Sequence, residues 1–374
     1  MLDHKTILIA AGGTGGHINP ALSVAGIIRY LHPSANIHFV GTADRMEAQL
    51  VPAAGYELHT IEMSGFQRSL SPANIKRNLL TLKRLMTVSK KVNKLLDDLK
   101  PDVVVGFGGY VSGPVLRVAA KRGIPTAIHE QNAYPGITNK ALAKQVDAVM
   151  LTSVAAAPRL SCKNPPVVTG LPVRRELLKA DRAASRRELG LDERPMVLSM
   201  GGSLGARAVN EGIVGMVAAL WKKRAMHFHH AYGQYGKWVP EEMRKAGVDL
   251  DAPELTLREY IDDMARCMSA ADLVIGRAGA SSLCELQAMG KPSILIPSPN
   301  VTENHQYHNA MTLVEKGAAI LIEEKDLTPE LLAKTVSDLL ANPAKLAAMG
   351  EAAKAMALTD ANERIYEVIT GLVK

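Results

Sequence analysis

The sequence predicts an α/β protein built from two doubly wound parallel sheets. Short apolar segments rich in β-branched residues alternate with helical segments, which is typical of sheets made from β–α–β units. This alternation stops near Gly170-Leu171-Pro172, and a charged stretch from Arg174 to Arg194 follows. The opening order of strand, glycine-rich turn and helix then starts again at MVLSMGGSLGARAVN. The break and the restart together predict two domains with a boundary near residue 171.

The expected strands are short apolar runs, as in sheets that are buried on both faces. Those of the first domain are Thr6–Ala10, Ile37–Gly41, Val103–Gly106, Thr126–His129, Ala148–Leu151 and Val167–Thr169. Those of the second are the MVLSM segment, His227–Ala231, Leu273–Ile275, Ser293–Ile296 and Ala319–Ile322. A C-terminal helix at about 357–374 is expected to pack back on the first domain. The expected domains are therefore 1–171 and 172–356.

Composition restricts the classes of partner. The 374 residues carry a formal charge of +7, which favours nucleotides, phosphates or an acidic membrane. Aromatic residues make up 4%, too few for stacking on single strands, so nucleic acid is not expected. Three widely spaced cysteines predict a reducing compartment. The sequence has neither a signal-peptide pattern nor an apolar run of about 18 residues, so membrane contact is expected to be peripheral.

Three glycine pairs lie at predicted strand ends: Gly12-Gly13, Gly108-Gly109 and Gly201-Gly202. Ligands of open parallel sheets bind beyond the carboxyl ends of the strands. Glycine allows a ligand to approach the backbone closely, and a following helix offers its first N–H groups to an anion. One such pair fits a simple tight turn, but three of them favour a phosphate or sugar site.

The familiar nucleotide motifs are absent from these turns. The third glycine of GxGxxG is replaced by Ile18, and the second strand ends in FVGTAD without an acid at its tip. No GxxxxGK[ST] occurs either, so neither a dinucleotide cofactor nor P-loop chemistry is expected. We expect no cofactor.

A second polar cluster spans GRAGASSLCELQAMGKP, from Gly276 to Pro292. Its helix start could receive a diphosphate, and Glu285 lies one turn later, where a carboxylate could accept from ribose hydroxyls. Downstream, TENHQYHNA offers polar side chains to a sugar. Taken alone, the serines fit ordinary helix caps, Glu285 a solvated residue and TENHQYHNA a polar loop.

These motifs together resemble the MurG family of bacterial peptidoglycan N-acetylglucosaminyltransferases, over essentially the whole chain. The stretches that carry the resemblance are GGTGGH (12–17), GTADRMEAQLVP (41–52), GGYVSGP (108–114), HEQNAYPGITNK (129–140), GGSLGA (201–206), YIDDM (260–264) and RAGASSLCE (277–285). The resemblance implies a GT-B fold, in which two Rossmann-like domains face each other across a cleft. It also implies that no metal is held by a DxD motif.

The resemblance implies transfer of GlcNAc from UDP-GlcNAc to the C4 hydroxyl of MurNAc in undecaprenyl-diphospho-MurNAc-pentapeptide (lipid I), with inversion at the anomeric carbon. The product is lipid II, so roles in peptidoglycan synthesis, cell shape and cell division are implied. The first domain would bind the acceptor and the membrane, and the second UDP-GlcNAc. The implied location is the cytoplasmic face of the cell membrane, with cell-division and wall-synthesis proteins as further candidate partners.

Carried over motif by motif, the resemblance implies a set of substrate-binding residues. They are Thr14, Gly15, Gly16, Tyr110, Asn132, Arg174, Ser203, Ile261, Ala280, Ser281, Ser282, Leu283, Cys284, Glu285 and Gln306. The turn at 14–16 and Asn132 would contact the nucleotide sugar, and Tyr110 would position the acceptor. Arg174 and Ser203 would lie near the diphosphate. The backbone of Ile261 would bind uracil, Glu285 the ribose and Gln306 the GlcNAc hydroxyls.

The chain departs from the family pattern at two positions. Leu171 replaces the asparagine of GNPVR, which puts a polar role at that position in doubt. His305 precedes Gln306 where some relatives have a second glutamine, so a sugar contact by His305 is open.

An inverting transfer needs a base for the attacking hydroxyl, and His17 is the first candidate. It opens the first helix, whose positive end favours the neutral imidazole. A positioning role or a structural hydrogen bond is the alternative. His129 and Glu130 are further candidates for the base or its orienting partner.

The stretch from Phe66 to Lys94 interleaves apolar and basic residues. Such a pattern most often marks a solvated helix over a core, but a lipid-borne acceptor favours docking on the anionic inner leaflet. Two other functions remain open at this stage. One is another GT-B enzyme, such as a UDP-sugar 2-epimerase or a glycolipid synthase, and the other is a non-catalytic nucleotide-sugar-binding or scaffold protein.

Overall fold

The structure is a computed structural model that describes residues 1–62 and 87–373. It divides into two units. The first consists of Met1–Pro172 together with Asp360–Lys374, and the second of Val173–Thr359.

The first unit is a seven-stranded parallel sheet in the order β3-β2-β1-β4-β5-β6-β7. Its strands are β1 Thr6–Ala11, β2 Asn36–Gly41, β3 Glu57–Thr60, β4 Val103–Gly108, β5 Thr126–Glu130, β6 Ala148–Leu151 and β7 Val167–Val168. Its helices are α1 Gly15–Leu31, α2 Glu47–Ala53, α3 over residues 87–99, α4 Ser112–Lys121, α5 Ile137–Leu142 and the final helix α15 Ala361–Leu372, with a 3-10 helix at Val154–Arg159. Central strands such as β4 are buried along their whole length, because helices cover both faces of the sheet.

The second unit is a six-stranded parallel sheet in the order β10-β9-β8-β11-β12-β13. Its strands are β8 Met196–Met200, β9 His227–Ala231, β10 Leu255–Arg258, β11 Leu273–Gly276, β12 Ser293–Leu295 and β13 Ala319–Leu321. Its helices are α6 Arg175–Lys179, α7 Arg182–Glu188, α8 Arg207–Trp221, α9 Val239–Lys245, α10 Met264–Ala270, α11 Ala280–Met289, α12 His305–Val314, α13 Pro329–Leu340 and α14 Pro343–Ala355, with a 3-10 helix at Thr302–Asn304.

Each sheet reverses its strand order once, between β1 and β4 in the first unit and between β8 and β11 in the second. In doubly wound sheets the crevice at this reversal is where ligands bind. All three glycine pairs and the start of α11 follow these four strands. The topology therefore brings the motifs of each unit to one point of its sheet.

The structure contains two strands, β3 and β10, that the sequence analysis did not predict. Both are short edge strands whose residues, ELHT and LTLR, are largely half-exposed or exposed and lack a continuous apolar run. Helix α1 begins at Gly15, so His17 lies in its first turn, as predicted. The last helix belongs to the first unit, where Ile365 and Ile369 are buried in one cluster with residues of α1.

Within residues 1–62 and 87–373, none of the helices is both long and apolar enough to cross a membrane.

Candidate active site

The turn after β1 is held by a buried carboxylate on α2. Glu47 accepts hydrogen bonds from the Gly13 N–H at 2.9 Å, the Thr42 N–H at 3.0 Å and the Thr42 hydroxyl at 2.8 Å. A methyl group on Gly12 would lie 2.5 Å from Glu47 Oε1, and one on Gly41 would lie 2.6 Å from Glu47 Cγ. Glycine is needed at both positions because the Glu47 side chain fills the space beside them.

Burial raises the pKa of Glu47, but the hydrogen bonds from Gly13 and Thr42 outweigh it and hold the pKa below its usual value. The buried side chain is thus an ionised clamp on the turn. Sequence analysis gave this residue no role. Its only signal was its position within GTADRMEAQLVP, one of the stretches that carry the family resemblance.

His17 lies half-buried at the start of α1, over the end of β4. Its Nδ1 is 3.1 Å from the Gly12 carbonyl oxygen and 3.3 Å from the Thr14 hydroxyl. Because a carbonyl only accepts, the bond to Gly12 places a proton on Nδ1 and the lone pair of the neutral ring on Nε2. A methyl group on Gly108 would lie 2.6 Å from His17 Cδ2, so the glycine makes room for this ring.

The turn after β4 interlocks with the turn after β1. Gly109 has a φ of 84°, and a methyl group there would lie 2.3 Å from the Gly12 carbonyl oxygen. The buried Ser112 hydroxyl accepts from the Gly108 N–H at 3.1 Å and lies 3.0 Å from the Ala10 carbonyl oxygen. Ser112 is a second residue to which sequence analysis gave no role, and it ties the ends of both strands together.

His129 is fully buried at the end of β5. Its Nε2 donates to the Gly170 carbonyl at 2.8 Å, and its ring stacks on Phe107 with 5.6 Å between centroids. Burial lowers its pKa to about 4, so the ring is neutral at neutral pH. The placement favours the orienting alternative for His129, because no atom of its ring is exposed to an acceptor.

Glu130 is also buried, and it organises the loop before α5. Its carboxylate accepts from the Asn132 N–H at 2.9 Å, the Gly136 N–H at 3.1 Å and the Asn139 amide at 2.8 Å. Burial raises its pKa in spite of these hydrogen bonds. This network fixes the backbone of the predicted sugar-side residue Asn132, and again favours an orienting role.

In the second unit, the turn after β8 packs backbone against backbone. Gly205 has a φ of 81°, and a methyl group on it would lie 2.3 Å from the Tyr232 carbonyl oxygen. A methyl group on Gly233 would lie 2.1 Å from the Gly205 nitrogen. The Ser203 carbonyl accepts from the Gln234 N–H at 3.2 Å, which fixes the predicted diphosphate contact Ser203 beside the loop after β9.

Helix α11 begins directly after the turn that follows β11. Its N-cap is Gly279, no side chain caps it among the described residues, and Ala280, Ser281 and Ser282 are half-buried. The N–H groups of a first helical turn have no partner within the helix. Ala280, Ser281 and Ser282 therefore present the donors that an anion needs.

Leu283, another predicted substrate contact, packs its side chain inward. Its side chain is buried in the core of the second unit, and its N–H donates to the Gly279 carbonyl at 3.0 Å. The reason is helical periodicity, which turns this position of α11 towards the sheet. Cys284, the next residue, is half-buried.

Two of the predicted donor-binding residues contact each other. The Arg174 guanidinium donates through Nε to Glu285 Oε1 at 2.8 Å, although the residues are 111 positions apart. The Arg174 side chain is 50% exposed, whereas that of Glu285 is 16% exposed. The pair thus holds a carboxylate on α11 next to an accessible cation.

Gln306 lies in the first turn of α12, and its Oε1 accepts from the Ser298 N–H at 2.9 Å. Just before this helix, Glu303 and Asn304 have φ values of 56° and 48°. Two successive non-glycine residues in the left-handed region are strained, and such strain often lies at functional sites. His305 Nδ1 donates to the Thr302 carbonyl at 2.8 Å, which closes this turn.

The other predicted residues lie in contrasting surroundings. Tyr110 is 67% exposed after β4, whereas Ile261 is buried in the core of the second unit. Leu171, where the family pattern has asparagine, is buried as well. Residues 66–86 of the predicted membrane stretch lie outside the described residues. In its remainder, Val88 and Val92 are buried and the lysines are exposed.

Comparison with known proteins identifies the family. The glycosyltransferase family 28 N-terminal domain matches residues 7–151, and the family 28 C-terminal domain matches residues 196–365. The crystal structure of Acinetobacter baumannii MurG matches with a TM-score of 0.79 at 30% identity, covering 98% of this chain and 99% of that one. The chain belongs to the MurG family.

A relative of the MurG family from Acetivibrio thermocellus is 42% identical over 369 residues, which are 98% of both chains. Its name is UDP-N-acetylglucosamine–N-acetylmuramyl-(pentapeptide) pyrophosphoryl-undecaprenol N-acetylglucosamine transferase. A UDP-GlcNAc 2-epimerase from Neisseria meningitidis has a TM-score of 0.66 at 14% identity, covering 98% of this chain and all of its own, so that likeness extends to the fold alone. The predicted GT-B fold, family and glycosyltransferase class are confirmed.

Proposed function

We propose that the chain transfers GlcNAc from UDP-GlcNAc to the C4 hydroxyl of MurNAc in lipid I, giving lipid II with inversion at the anomeric carbon. The observation that carries this proposal is the Arg174–Glu285 pair, because it joins two residues that the family resemblance assigns to one UDP-sugar. The name shared by relatives of matching length describes the same transfer and further supports it.

The second unit binds the donor. The first N–H groups of α11 and the turn at Ser203 receive the diphosphate, and Glu285 accepts from the ribose hydroxyls. The backbone at Ile261 pairs with uracil. Because the Ser298 N–H occupies Gln306 Oε1, the NH2 end of this amide is the one that donates to the C3 or C4 hydroxyl of GlcNAc.

The first unit binds the acceptor and supplies the base. With Nδ1 donating to the Gly12 carbonyl, Nε2 of His17 has the lone pair that removes the proton of the attacking hydroxyl. Asn132 contacts the sugar and Tyr110 positions the acceptor. His129 and Glu130 hold the neighbouring backbone in place.

The leaving diphosphate is stabilised by Arg174 and the α11 N-terminus, without a divalent cation. Turnover is therefore expected to persist in EDTA. Complete loss of activity that magnesium or manganese restores would contradict this part of the proposal.

The test of the reaction is release of UDP from UDP-GlcNAc with and without a lipid I analogue. We expect release to depend on the acceptor and to be strongly selective for UDP-GlcNAc over UDP-GalNAc, because a site built to bind a hydroxyl rejects the wrong isomer. Release without acceptor dependence would refute the transfer, and equal kcat/KM for both donors would refute the role of Gln306.

The enzyme works as a peripheral protein on the cytoplasmic face of the cell membrane, where wall-synthesis and cell-division proteins are its neighbours. The support is the interleaved apolar and basic pattern from Phe66 to Lys94, since each lysine or arginine near an anionic surface adds about 1 kcal/mol. Reversing the charges at Lys83, Arg84, Lys90 and Lys91 should release the enzyme from anionic liposomes while a soluble acceptor still turns over. Unchanged liposome binding would contradict this docking surface.

A further inference from the structure

Two histidines and one glutamate converge at the outer edge of the first sheet, on strands β2 and β3. His38 on β2 stands opposite Glu57 on β3, and His59 follows two residues later on the same face of β3. The histidines are 21 positions apart, and no metal-binding spacing in the sequence marks them. None of the three residues belongs to the donor or acceptor site proposed above.

The three polar groups face a common point. His38 Nδ1 lies 3.2 Å from His59 Nε2 and 3.3 Å from Glu57 Oε2, and His59 Nε2 lies 3.5 Å from Glu57 Oε1. An ion with tetrahedral bonds of about 2.0–2.2 Å holds its ligand atoms about 3.3–3.6 Å apart. The two imidazole nitrogens are therefore spaced as neighbouring ligands of such a coordination shell, and each lies at a similar distance from one of the two Glu57 carboxylate oxygens.

Burial and charge at this cluster suit a metal ion. The histidine side chains are 19% and 22% exposed, so their rings are held in place, while Glu57 at 63% leaves the cluster open to solvent. The carboxylate supplies the one negative charge.

We propose that His38, Glu57 and His59 bind one divalent first-row transition-metal ion, with Zn²⁺ as the preferred ion and water in the fourth position. Imidazole nitrogens favour zinc over magnesium or calcium, which prefer oxygen ligands. The ion fastens the edge strand β3 to β2, because it takes ligands from both. It plays no part in glycosyl transfer, so this site goes beyond the proposed function.

The test uses the full-length enzyme after removal of metals with a chelator. Zn²⁺ binding is measured by calorimetry, and Co²⁺ serves as a spectroscopic probe whose visible absorption reports four-coordination. The variants are His59→Ala, which removes one ring, and Glu57→Gln, which keeps the shape of an exposed side chain. The matched control is His4→Asn, which removes an exposed imidazole outside the cluster and keeps a residue that tolerates the φ of 58° at this position.

We expect one Zn²⁺ per chain in the wild type and in His4→Asn. His59→Ala should weaken binding by about 100-fold or more and Glu57→Gln by at least about 10-fold, since loss of even an outer-shell partner costs 10- to 100-fold. Should His59→Ala not fold, as judged by circular dichroism, Glu57→Gln decides the result. The absence of stoichiometric binding in the wild type, or equal affinity in Glu57→Gln, would overturn the proposal. Transferase turnover of the metal-free enzyme tests the proposed reaction separately.

Discussion

In the first unit the turn after β1 is held by the Glu47 carboxylate, whereas in the second unit the turn after β8 is held by glycine backbone packed against the loop after β9. The two turns follow equivalent strands, and both precede a helix. They differ in what surrounds the backbone N–H groups of the turn. Glu47 already occupies the Gly13 N–H, while the turn at 201–205 is shaped by close packing of backbone on backbone.

This difference bears on where an anion binds. An ionised carboxylate at the turn competes with a diphosphate for N–H groups and repels it. In the second unit, none of the side chains that the structure describes caps α11, and Glu285 on this helix pairs with the cationic Arg174. The difference supports the roles proposed above, with the attacking hydroxyl and its base in the first unit and the diphosphate in the second.

The largest expected effect separates chemistry in the first unit from donor binding in the second. His17→Ala should lower kcat by about 10²–10⁴-fold, the usual cost of a lost general base, and leave UDP-GlcNAc affinity nearly unchanged. Turnover with a lipid I analogue and calorimetry with UDP-GlcNAc measure the two quantities, with His4→Asn as the matched control. If donor affinity falls as far as kcat, His17 is a binding residue, and the proposed separation of chemistry in the first unit from donor binding in the second is wrong.

Acid should destabilise both units through buried histidines, of which the second unit has more. The pKa values of His129, His229 and His230 are lowered by burial from 6.5 to about 4. The unfolded chain therefore binds protons between pH 6.5 and 4 that the folded chain does not, so stability falls as the pH decreases through this window. Each histidine accounts for at most about 3 kcal/mol.

Urea unfolding at a series of pH values between 7 and 4 measures this effect. His230→Gln should remove about one proton from the pH dependence of unfolding, because an amide does not titrate in this range. A pH dependence in His230→Gln that equals that of the wild type would show that burial of this ring does not govern acid stability.

Replacing the clamp should affect the first unit alone. In Glu47→Gln the amide NH2 faces a buried N–H donor, which leaves a hydrogen bond unmade and costs about 1–3 kcal/mol of unfolding free energy. Since the folded pKa of Glu47 lies below 4.5, the clamp's contribution persists above that pH and is lost as the pH falls through the folded value.

We expect kcat to fall in Glu47→Gln and the affinity for UDP-GlcNAc to stay the same, because Gly12 positions His17. Glu211→Gln, at an exposed pair with Arg207, is the control and should change stability by less than about 1 kcal/mol. Weaker donor binding in Glu47→Gln would mean that the two turns do not act independently.

The smallest effect concerns the ion pair in the second unit. Because the Arg174 side chain is half-exposed, Arg174→Ala should change unfolding free energy by less than about 1 kcal/mol. It should raise the KM for UDP-GlcNAc by about 10-fold or more, since a hydrogen bond from a charged donor contributes about 1.5–3 kcal/mol. Thermal unfolding and initial rates measure the two quantities. A large loss of stability with an unchanged KM would make the pair structural.

Strands buried on both faces were predictable from the sequence, and edge strands were not. Ala148–Leu151 has the predicted bounds, because a continuous apolar run such as AVML is diagnostic within a parallel sheet. His227–Ala231 also has the predicted bounds, although its sequence is HFHHA. Glu57–Thr60 and Leu255–Arg258 each pair with a neighbouring strand along one side only. Polar residues therefore occupy them, and the apolar pattern that identifies a buried strand is lost.

The candidate site was predictable as a set of turns but not as a set of contacts. The glycine pairs could be placed at strand ends because parallel topology brings these ends together. The Arg174–Glu285 pair and the Glu47 clamp depend on how separate helices pack, and no local pattern encodes that. The burial of the Leu283 side chain was not predictable, because a motif does not show which of its residues point into the core.

The last helix has a consequence for synthesis of the protein. The first unit is interrupted by Val173–Thr359 and completed only by Asp360–Lys374. A ribosome makes the sheet and α1 first, and tens of seconds pass at about 5–20 residues per second before α15 arrives. Until then the apolar surface of α1 that Ile365 and Ile369 will cover is exposed. The nascent first unit therefore exposes an apolar surface during translation until α15 covers it.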